Sequence, residues 1–285
     1  MKLSIVIPCY NAADTLGDQL EALARQDWQG EWEVIVADNG STDDSRAVAA
    51  RFADRLPLRI VDASARRGAG YAYTTGAAAA TGDALLFCDA DDVVGEGWLA
   101  AMANALAEHD FVAAACDMEK LNEPWVRATR ANTQKTGLQQ YHYPPFLPHA
   151  GTSTLGVRRH AYEAVGGFDQ NLYLLDTDLC WRLQLAGFEL HFVPDAVVHV
   201  RLRTSLRAIF RQGLAWGEGN VALYHKYRPL GMPRLGRFAW VPGWLALIRS
   251  LPLWRTRGGR ARWLWRFGWR LGRIRGSIRY RVWAL

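Results

Sequence analysis

Residues 3–38, LSIVIPCYNAADTLGDQLEALARQDWQGEWEVIVAD, contain two short apolar runs separated by a segment with apolar residues at helical spacing. Short runs rich in β-branched residues are typical of buried strands. A strand, a helix and a second strand in this order form the repeating unit of a parallel α/β sheet. We therefore predict strands at Leu3–Pro8 and Glu33–Asp38, with a helix near Ala12–Gln26 between them.

The same alternation continues through the first 120 residues. It predicts further strands at Leu58–Asp62, Ala84–Cys88 and Phe111–Asp117, and helices near Asp43–Asp54, Gly70–Ala80 and Gly97–Glu108. Ligands of such sheets bind beyond the carboxyl ends of the strands. Polar residues stand at these ends: Asn11, Asp38 to Ser41, Arg66 to Gly68, and Asp89 to Asp92. We expect a binding site along this edge.

The second half of the chain begins with a long irregular stretch. Residues 119–148 are polar and contain several prolines, which predicts a loop over the site, because loops of this length are usually functional or mobile. Regular structure is predicted to resume after it. We place strands at Ser153–Val157, Glu189–Val193 and Ala196–Val200, and helices at Asp176–Ala186 and Leu206–Tyr227.

The composition excludes two broad classes of protein. Of the 285 residues, 50% are hydrophobic and 22% are charged, which is incompatible with a disordered chain. No apolar run reaches the roughly 18 residues of a membrane-spanning helix. The net charge of +6 is unevenly divided, because the chain from Arg201 onward carries 18 Arg, one Lys and one Glu, whereas residues 1–200 carry −12.

The cysteines indicate a reducing compartment. Cys9, Cys88, Cys116 and Cys180 are far apart, lie in apolar stretches and lack metal-ligand spacing. They are interpreted as reduced thiols in the core of a cytosolic protein. The first apolar run is about five residues long and lacks the features of a signal peptide, so we expect a cytoplasmic location.

Two carboxylates follow the strand at 84–88. Asp89 and Asp91 are two positions apart at a strand end, where chain curvature can direct both at one point. Mg²⁺ and Mn²⁺ prefer such oxygen ligands and complete their coordination with diphosphate oxygens. A single Asp-x-Asp is weak evidence, since acidic turns at strand ends are common.

Five segments, taken in order, closely resemble family 2 glycosyltransferases of GT-A fold. They are SIVIPCYN at 4–11, VIVADNGSTDDS at 34–45, GDALLFCDADD at 82–92, VGGFD at 165–169 and DTDLCWRL at 176–183. The resemblance covers about residues 1–228. It implies a Rossmann-like, mostly parallel mixed sheet flanked by helices, with a nucleotide-sugar half at 1–118 and an acceptor half at 119–228.

The resemblance also assigns the nucleotide pocket. Pro8, Tyr10 and Asn11 would form its first edge, and Asp38 would contact the base, with uracil favoured. Arg66 and Gly68 would lie near the phosphates, where a glycine permits close backbone approach and the following helix N-terminus favours an anion. The chain departs from the family in this helix, because Tyr73-Thr74 replaces a common Arg-Asn pair.

The metal and the base follow from the same resemblance. Asp91 is expected to bind the divalent metal, Mn²⁺ or Mg²⁺. Asp89 would contact the ribose or a metal-bound water, and His199 would contact the metal or diphosphate. Asp176 is expected to be the catalytic base. Leu175 stands where relatives carry a glutamate, so only one carboxylate of the usual pair remains.

Residues 229–285 form a separate, basic extension. Eight of the 13 tryptophans lie after residue 200, and a helix at 259–283 would have an apolar arc flanked by arginines. This pattern predicts an interfacial helix on an anionic membrane surface, with residues 238–254 in the same plane. The alternative is that these segments pack on the catalytic domain or on a second subunit. We expect no nucleic-acid partner, because the apolar arc is too continuous.

The resulting hypothesis is an inverting, metal-dependent glycosyltransferase. It would use a nucleotide-diphosphate sugar, with UDP favoured, and a glycan or lipid-linked acceptor in cell-surface or exopolysaccharide assembly, peripherally on the inner face of the cell membrane. A nucleotidyltransferase would need a glycine-rich phosphate loop after the first strand, and Pro-Cys-Tyr-Asn is not one. A module that binds nucleotide sugar or recruits to membranes without catalysis remains open because of Leu175.

Overall fold

The computed structural model describes residues 1–236 and 238–284. Arg237 and Leu285, which belong to the predicted C-terminal extension, lie outside the described residues. The strands within the described part are β1 (Leu3–Cys9), β2 (Trp32–Asp38), β3 (Leu58–Asp62), β4 (Ala84–Phe87), β5 (Val93–Val94), β6 (Phe111–Asp117), β7 (Leu155–Arg158) and β8 (Leu190–His199).

The helices surround one sheet. They are α1 (Leu16–Ala24), α2 (Ser45–Ala50), α3 (Ala69–Ala79), α4 (Trp98–Glu108), α5 (Pro124–Arg127), α6 (Arg159–Ala164), α7 (Leu175–Leu185), α8 (Leu206–Tyr227), α9 (Val241–Arg249) and α10 (Arg257–Arg279). None of the described helices is long and apolar enough to cross a bilayer.

The sheet is mixed, with the strand order β3-β2-β1-β4-β7-β6-β8-β5. Strands β3, β2, β1 and β4 are parallel, as the alternating pattern predicts. Strand β7 is antiparallel to both of its neighbours, β4 and β6. Because β7 enters in the opposite direction, the loops before it and after β4 and β6 meet at one edge of the sheet.

Alternation along β1 divides the core between the two faces of the sheet. Leu3, Ile5 and Ile7 pack on one side, and Val6 packs on the other beside Gly76 of α3, in the core that also includes residues of α7 and α8. Residues on both faces of β1 are fully buried, as expected for a parallel strand covered by helices. The four cysteines are buried thiols.

Most predicted elements are confirmed, three of them, β3, β6 and α8, with the predicted bounds. The predicted strands at 189–193 and 196–200 were wrong as separate elements, because they form one strand, β8. Its register against β6 shifts between Ala114 and Ala115, where the partner jumps from Val193 to Val197. An irregularity of this kind lets one strand bend without ending.

Glycines fix the contact between α8 and α10. Gly213 and Gly217 of α8 face Gly268 and Gly272 of α10, and a Cβ atom on Gly217 or Gly272 would overlap a backbone carbonyl of the other helix. Glycine costs about 1 kcal/mol relative to alanine inside a helix, so packing must compensate. The two backbones touch, which fixes the rotation of α10 about its own axis.

The apolar arc predicted on α10 is largely covered by the protein itself. Trp263 stacks on Trp254 at 4.9 Å, and its Nε1 donates to the carbonyl oxygen of Leu247 at 3.1 Å. Phe267 packs edge-on against Trp244 of α9. Ile278 of the arc is 74% exposed, and the other exposed apolar side chains of this region lie mainly on α9 and the turn after it.

We predict that Gly272→Ala separates α8 from α10. The added methyl group would meet the carbonyl oxygen of Leu214, a backbone atom that cannot rotate away. We expect a loss of about 1–3 kcal/mol in the free energy of unfolding, measured by urea denaturation. The control is Gly17→Ala in α1, where the nearest atom would be 3.8 Å away. Equal stability of the two variants would contradict the close backbone contact between α8 and α10.

Candidate active site

Four carboxylates line one cavity. Asp89, Asp91 and Asp92 follow β4, and Asp176 lies in the first turn of α7, and all four border a cavity of about 710 Å³. A cavity of this size is within the range that holds small-molecule ligands. The structure therefore places the predicted metal ligand Asp91 and the predicted base Asp176 at the same cavity.

The carboxylates after β4 favour a positive charge. Burial and the neighbouring Asp91 raise the pKa of Asp89 to about 6, although the Tyr73 hydroxyl donates a hydrogen bond to its Oδ1. Asp92 is 2% exposed, and its Oδ2 is buried with no hydrogen-bond partner in the described part of the chain. Carboxylates held this close repel one another, so a cation between them would be stabilised.

Two arginines that sequence analysis did not single out approach these carboxylates. Arg203 Nη1 lies 3.2 Å from Asp91 Oδ2, and Arg201 Nε donates to the Asp91 carbonyl oxygen at 3.0 Å. The backbone N–H of Arg201 donates to Asp92 Oδ1 at 2.9 Å. Both arginines directly follow β8, so their place at a strand end was the available signal.

Asp176 and Asp178 have different surroundings on α7. Asp176 Oδ1 accepts a hydrogen bond from the Thr177 N–H at 2.7 Å, and burial raises the pKa of this carboxyl. Asp178 is fully buried and does not line the cavity. It contacts Lys226 Nζ at 2.6 Å and Arg182 Nε at 2.7 Å. Asp178 therefore fastens α7 to the end of α8.

Leu175 packs away from the cavity. Its side chain is 8% exposed and belongs to the apolar core, close to Gly70 of α3. The neighbouring residues Leu174, Asp176 and Thr177 line the cavity, whereas Leu175 does not. At this position an apolar side chain thus serves packing between α7 and α3.

The long segment at 119–148 lies against the cavity, as predicted, and one buried glutamine anchors it. Gln134 Nε2 donates to the Ala114 carbonyl oxygen at 2.8 Å and to Thr154 Oγ1 at 2.7 Å. Gln134 Oε1 accepts from the Gly151 N–H at 3.0 Å and from Gln139 Nε2 at 2.8 Å. All four hydrogen-bonding positions of this amide are filled, which ties the loop to β6 and to the start of β7.

The residues predicted to bind the base come together after β1 and β2. Asp38 is 3% exposed, accepts from the Ser41 N–H at 3.1 Å and pairs with Arg46 at 3.0 Å. Asn11 has a positive φ of 48°, and its Oδ1 accepts from the Thr42 N–H at 2.8 Å. Tyr10 is 52% exposed beside them. These loops form one cluster, separate from the residues that line the cavity.

The remaining residues of the predicted nucleotide pocket join this cluster: Pro8 from its first edge, and Gly68 and Arg66, which were predicted to lie near the phosphates. Pro8 is half-buried in β1 and is paired in register with Ala37. The Gly68 N–H donates to Asn39 Oδ1 at 2.8 Å, with Gly68 at a φ of 129° that only glycine adopts readily. Arg66 Nη2 donates to Asn171 Oδ1 at 2.8 Å, so the arginine bridges to the turn before α7.

His199 lies at the end of β8 and outside the cavity lining. Its Nδ1 is 2.7 Å from Asp117 Oδ2. Within residues 1–236 and 238–284, no group of three or more His, Cys, Asp and Glu side chains could hold a metal ion. Metal binding by His199 stays a prediction. The candidate metal ligands that line the cavity are the carboxylates after β4.

The C-terminal helices form a wall of the same cavity, which sequence analysis did not predict. Gln212, Trp216 and Asn220 line it from α8, and Arg262, Arg266 and Arg270 line it from α10. Each set recurs every four residues, which places its members on one face of their helix. The only acidic residue after Arg201 is Glu218, so unpaired arginines could have been anticipated there.

Comparison with known proteins gives the family. The sequence model described as "Glycosyl transferase family 2" matches residues 4–166, which is more than half of the chain. The chain belongs to glycosyl transferase family 2. The resemblance seen in the five sequence segments is thereby confirmed.

Two curated relatives extend the match. The pre-mycofactocin glycosyltransferase of Mycobacterium tuberculosis is 29% identical over 253 residues, covering 84% of this chain and 52% of that protein. The poly-beta-1,6-N-acetyl-D-glucosamine synthase of Staphylococcus epidermidis is 22% identical over 231 residues, covering 76% and 54%. The family 2 chain described here spans about half the length of these relatives.

A solved structure supports the fold. The mannosyltransferase PcManGT from Pyrobaculum calidifontis, in complex with GDP-Man and Mn²⁺, superposes with a TM-score of 0.68 at 19% identity, covering 96% of this chain and 86% of that one. The fold of this family 2 member is therefore GT-A-like, with a C-terminal helical part.

We predict opposite effects of substitution at the two α7 carboxylates. Asp178→Asn removes the buried charge that pairs with the half-buried Arg182 and Lys226, of which only Lys226 keeps another carboxylate partner, Asp169, and it should lower the free energy of unfolding by about 3 kcal/mol. Asp176→Asn should stabilise the fold at pH 7, because a carboxyl with a raised pKa in the folded state loses stability as pH rises. This gain should vanish below pH 4. Urea denaturation at pH 7 and pH 4 checks both, and a loss at pH 7 for Asp176→Asn would contradict the assignment.

Proposed function

We propose that this chain is an inverting glycosyltransferase that transfers a sugar from a nucleotide-diphosphate sugar, with UDP favoured, to a hydroxyl group of a glycan or lipid-linked acceptor. The observation that carries the proposal is the common cavity of Asp91 and Asp176, whose volume of about 710 Å³ leaves room for a sugar ring and part of an acceptor. Family membership and a relative that makes a polysaccharide support a role in exopolysaccharide or cell-surface glycan assembly.

The nucleotide is assigned to the cluster after β1, β2 and β3. Asp38 would bind the base, with Pro8, Tyr10 and Asn11 beside it. Arg66 and Gly68 would lie along the phosphates. The hydrogen bonds that join these loops support this assignment, since a preformed pocket spares the cost of ordering them upon binding.

The carboxylates after β4 suit a divalent cation. Asp91 and Asp89 would hold Mn²⁺ or Mg²⁺, because hard cations take carboxylate oxygens and leave remaining positions to diphosphate oxygens and water. Asp92 Oδ2 is buried without a hydrogen-bond partner among the described residues, and the pKa of Asp89 is raised. Both observations support this fit, since both indicate negative charge that the protein does not compensate. When bound, such a cation stabilises the charge that develops on the departing diphosphate.

Asp176 would act as the base. Its carboxylate would accept the proton of the acceptor hydroxyl while that oxygen attacks the anomeric carbon from the face opposite the leaving nucleoside diphosphate. The new bond forms as the bond to the diphosphate breaks, which inverts the anomeric centre in one displacement. Arg203, which pairs with Asp91, would add positive charge near the leaving group.

The proposal predicts that two amide substitutions impair turnover in different ways. Asp176→Asn should lower kcat by about 10²–10⁴-fold through loss of the base, and Asp91→Asn should reduce the response to Mn²⁺. The assay measures nucleoside diphosphate release from a panel of UDP-, GDP- and dTDP-sugars with membrane lipids as acceptors.

The matched control is Asp195→Asn, because Asp195 is an exposed carboxylate on β8 away from the cavity. Turnover that survives both site substitutions would refute the site assignment. A wild-type chain that binds a nucleotide sugar but releases no diphosphate from any donor would favour the non-catalytic binding module.

We further propose that residues 230–285 rest on an anionic membrane surface. Leu245, Ile248, Leu251 and Leu253 are 45–59% exposed on α9 and the turn after it. Arg249 and Arg255 are exposed in the same segment. Apolar side chains beside arginines match a segment that inserts shallowly among anionic headgroups.

Flotation with liposomes tests the membrane proposal. Leu245→Ser combined with Ile248→Ser should reduce the fraction that floats with phosphatidylglycerol vesicles, because both changes remove exposed apolar area without opening the core. Leu185→Ser, a 49% exposed leucine on α7, is the matched control. Undiminished flotation of the α9 variant would contradict the membrane proposal.

A further inference from the structure

The arginines of α10 that line the active-site cavity are without carboxylate partners. Arg262, Arg266 and Arg270 face the cavity at spacings of four residues. In the described part of the chain, no carboxylate oxygen lies within 4.0 Å of any of these three guanidinium groups. Like charges four residues apart destabilise a helix, by about 0.2–0.5 kcal/mol per pair.

Two other arginines of the same helix form ion pairs. Arg275 and Arg279, which do not line the cavity, contact Glu218 at 3.2 Å and 2.7 Å. Elsewhere on α10, Arg257, Arg260 and Arg273 also have no carboxylate partner among the described residues, so the absence of a partner is not confined to the cavity. What distinguishes the three cavity arginines is that they are half-buried along one wall of it. Since charge on a partly enclosed surface favours a counter-charge, this wall suits an anionic ligand.

A fourth cation adds to the wall from the long loop. The Arg130 guanidinium lies 5.1 Å from the ring centroid of Trp216, and its Nε is buried with no hydrogen-bond partner among the described residues. Trp265 Nε1, from the same wall, is likewise buried without a partner in that part of the chain. Both are hydrogen-bond donors, which a ligand with several acceptor oxygens would satisfy.

A second, more apolar cavity continues from the first. It measures about 270 Å³, and four of its lining residues, His142, Tyr143, Trp269 and Arg270, also border the larger cavity. Beyond Arg270 its lining is mainly apolar and comes from α9, α10 and the segment before α9: Leu235, Ala239, Trp240, Trp244 and Ile274. The one further charged residue of its lining in the described part of the chain is Arg273, whose Nε donates to the Ala284 carbonyl oxygen at 2.8 Å. The outer face of α9 carries the exposed Leu245 and Ile248.

The arrangement of these features indicates what kind of molecule the two cavities would bind. Starting from Asp176, a bound molecule would meet a base for its hydroxyl, then a row of guanidinium groups, then an aromatic cleft beside the exposed apolar face of α9. Guanidinium groups bind phosphate oxygens in bidentate fashion. We infer that the acceptor is a lipid-linked phosphate or diphosphate, with its phosphates on Arg262, Arg266 and Arg270 and the first part of its hydrocarbon chain in the second cavity.

This inference rests on the proposed function, whose acceptor it specifies. It differs from the donor site in place, because the arginines belong to α10 and the nucleotide residues to the loops after β1 to β3. It also gives α9 and α10 a direct role in substrate binding beside any contact with a membrane.

Calorimetric titration of the full chain tests it, with geranyl diphosphate, pyrophosphate and geraniol as probes and with EDTA present to exclude metal-mediated binding at Asp91. Geranyl diphosphate should bind about 10-fold more tightly than either fragment. The triple variant R262Q/R266Q/R270Q should bind it about 10-fold or more weakly. Ala239→Phe, which fills the second cavity from an exposed position, should reduce the affinity to that of pyrophosphate.

The control is R207Q/R211Q/R260Q, which removes the same charge from exposed positions that do not line either cavity. It should bind geranyl diphosphate like the wild type. Equal binding of pyrophosphate, with no effect of Ala239→Phe, would assign the arginines to a free phosphate compound and overturn the lipid. Unchanged affinity in a folded triple variant would overturn the anion site.

Donor turnover separates this inference from the proposed function. If the wild type releases nucleoside diphosphate but the arginine variants bind the probe normally, the acceptor inference fails and the glycosyltransferase assignment stands. If the wild type is inactive with every donor but binds the probe in the expected order, the lipid phosphate site stands without the catalytic proposal.

Discussion

Burial of Asp89, Asp92 and Asp176 around one cavity is the constraint on which the site depends, and repulsion from neighbouring carboxylates adds to it at Asp89 and Asp92. Burying several carboxylates around one cavity is costly, and the raised pKa of Asp89 and of Asp176 records that cost. Hydrogen bonds from Tyr73 and the Arg201 N–H, with the Arg203 ion pair, offset only part of it. Negative charge that the fold leaves uncompensated favours a positively charged ligand at the end of β4.

The opposite charge reaches the cavity through the packing of two helices. Glycines on α8 and α10 let their backbones touch, and this contact orients the arginine face of α10 towards the cavity instead of towards solvent. Larger residues at Gly217 or Gly272 would separate the helices and change that orientation. The close packing of α8 and α10 therefore determines which charged side chains line the proposed acceptor side of the cavity.

Local patterns predicted most strands of the sheet and part of the site, but neither the short strand β5 nor the continuity of β8. Strands β3 and β6 were predictable because apolar runs of the right length leave few alternatives, and Asp91 and Asp176 were accessible because both sit in recognisable segments at element ends. Arg203 and Gln134 were not assigned, since Arg203 pairs with Asp91, 112 positions away, and Gln134 bonds to Ala114 and Thr154, each 20 positions away. The α10 arginines were assigned to headgroups because a helical wheel shows which residues share a face but not what that face meets.

The uneven charge of the chain gains a physical meaning from this arrangement. The acidic first 200 residues and the basic remainder meet at one cavity and neutralise each other there only in part, since Arg203 is paired with Asp91 while the α10 guanidinium groups at the cavity lack carboxylate partners among the described residues. Ion pairs between the remaining charges would use up both. Because those charges stay apart, one wall suits a cation with a diphosphate and the other suits an anionic acceptor, and in the proposed reaction the acceptor hydroxyl would lie between them, beside Asp176.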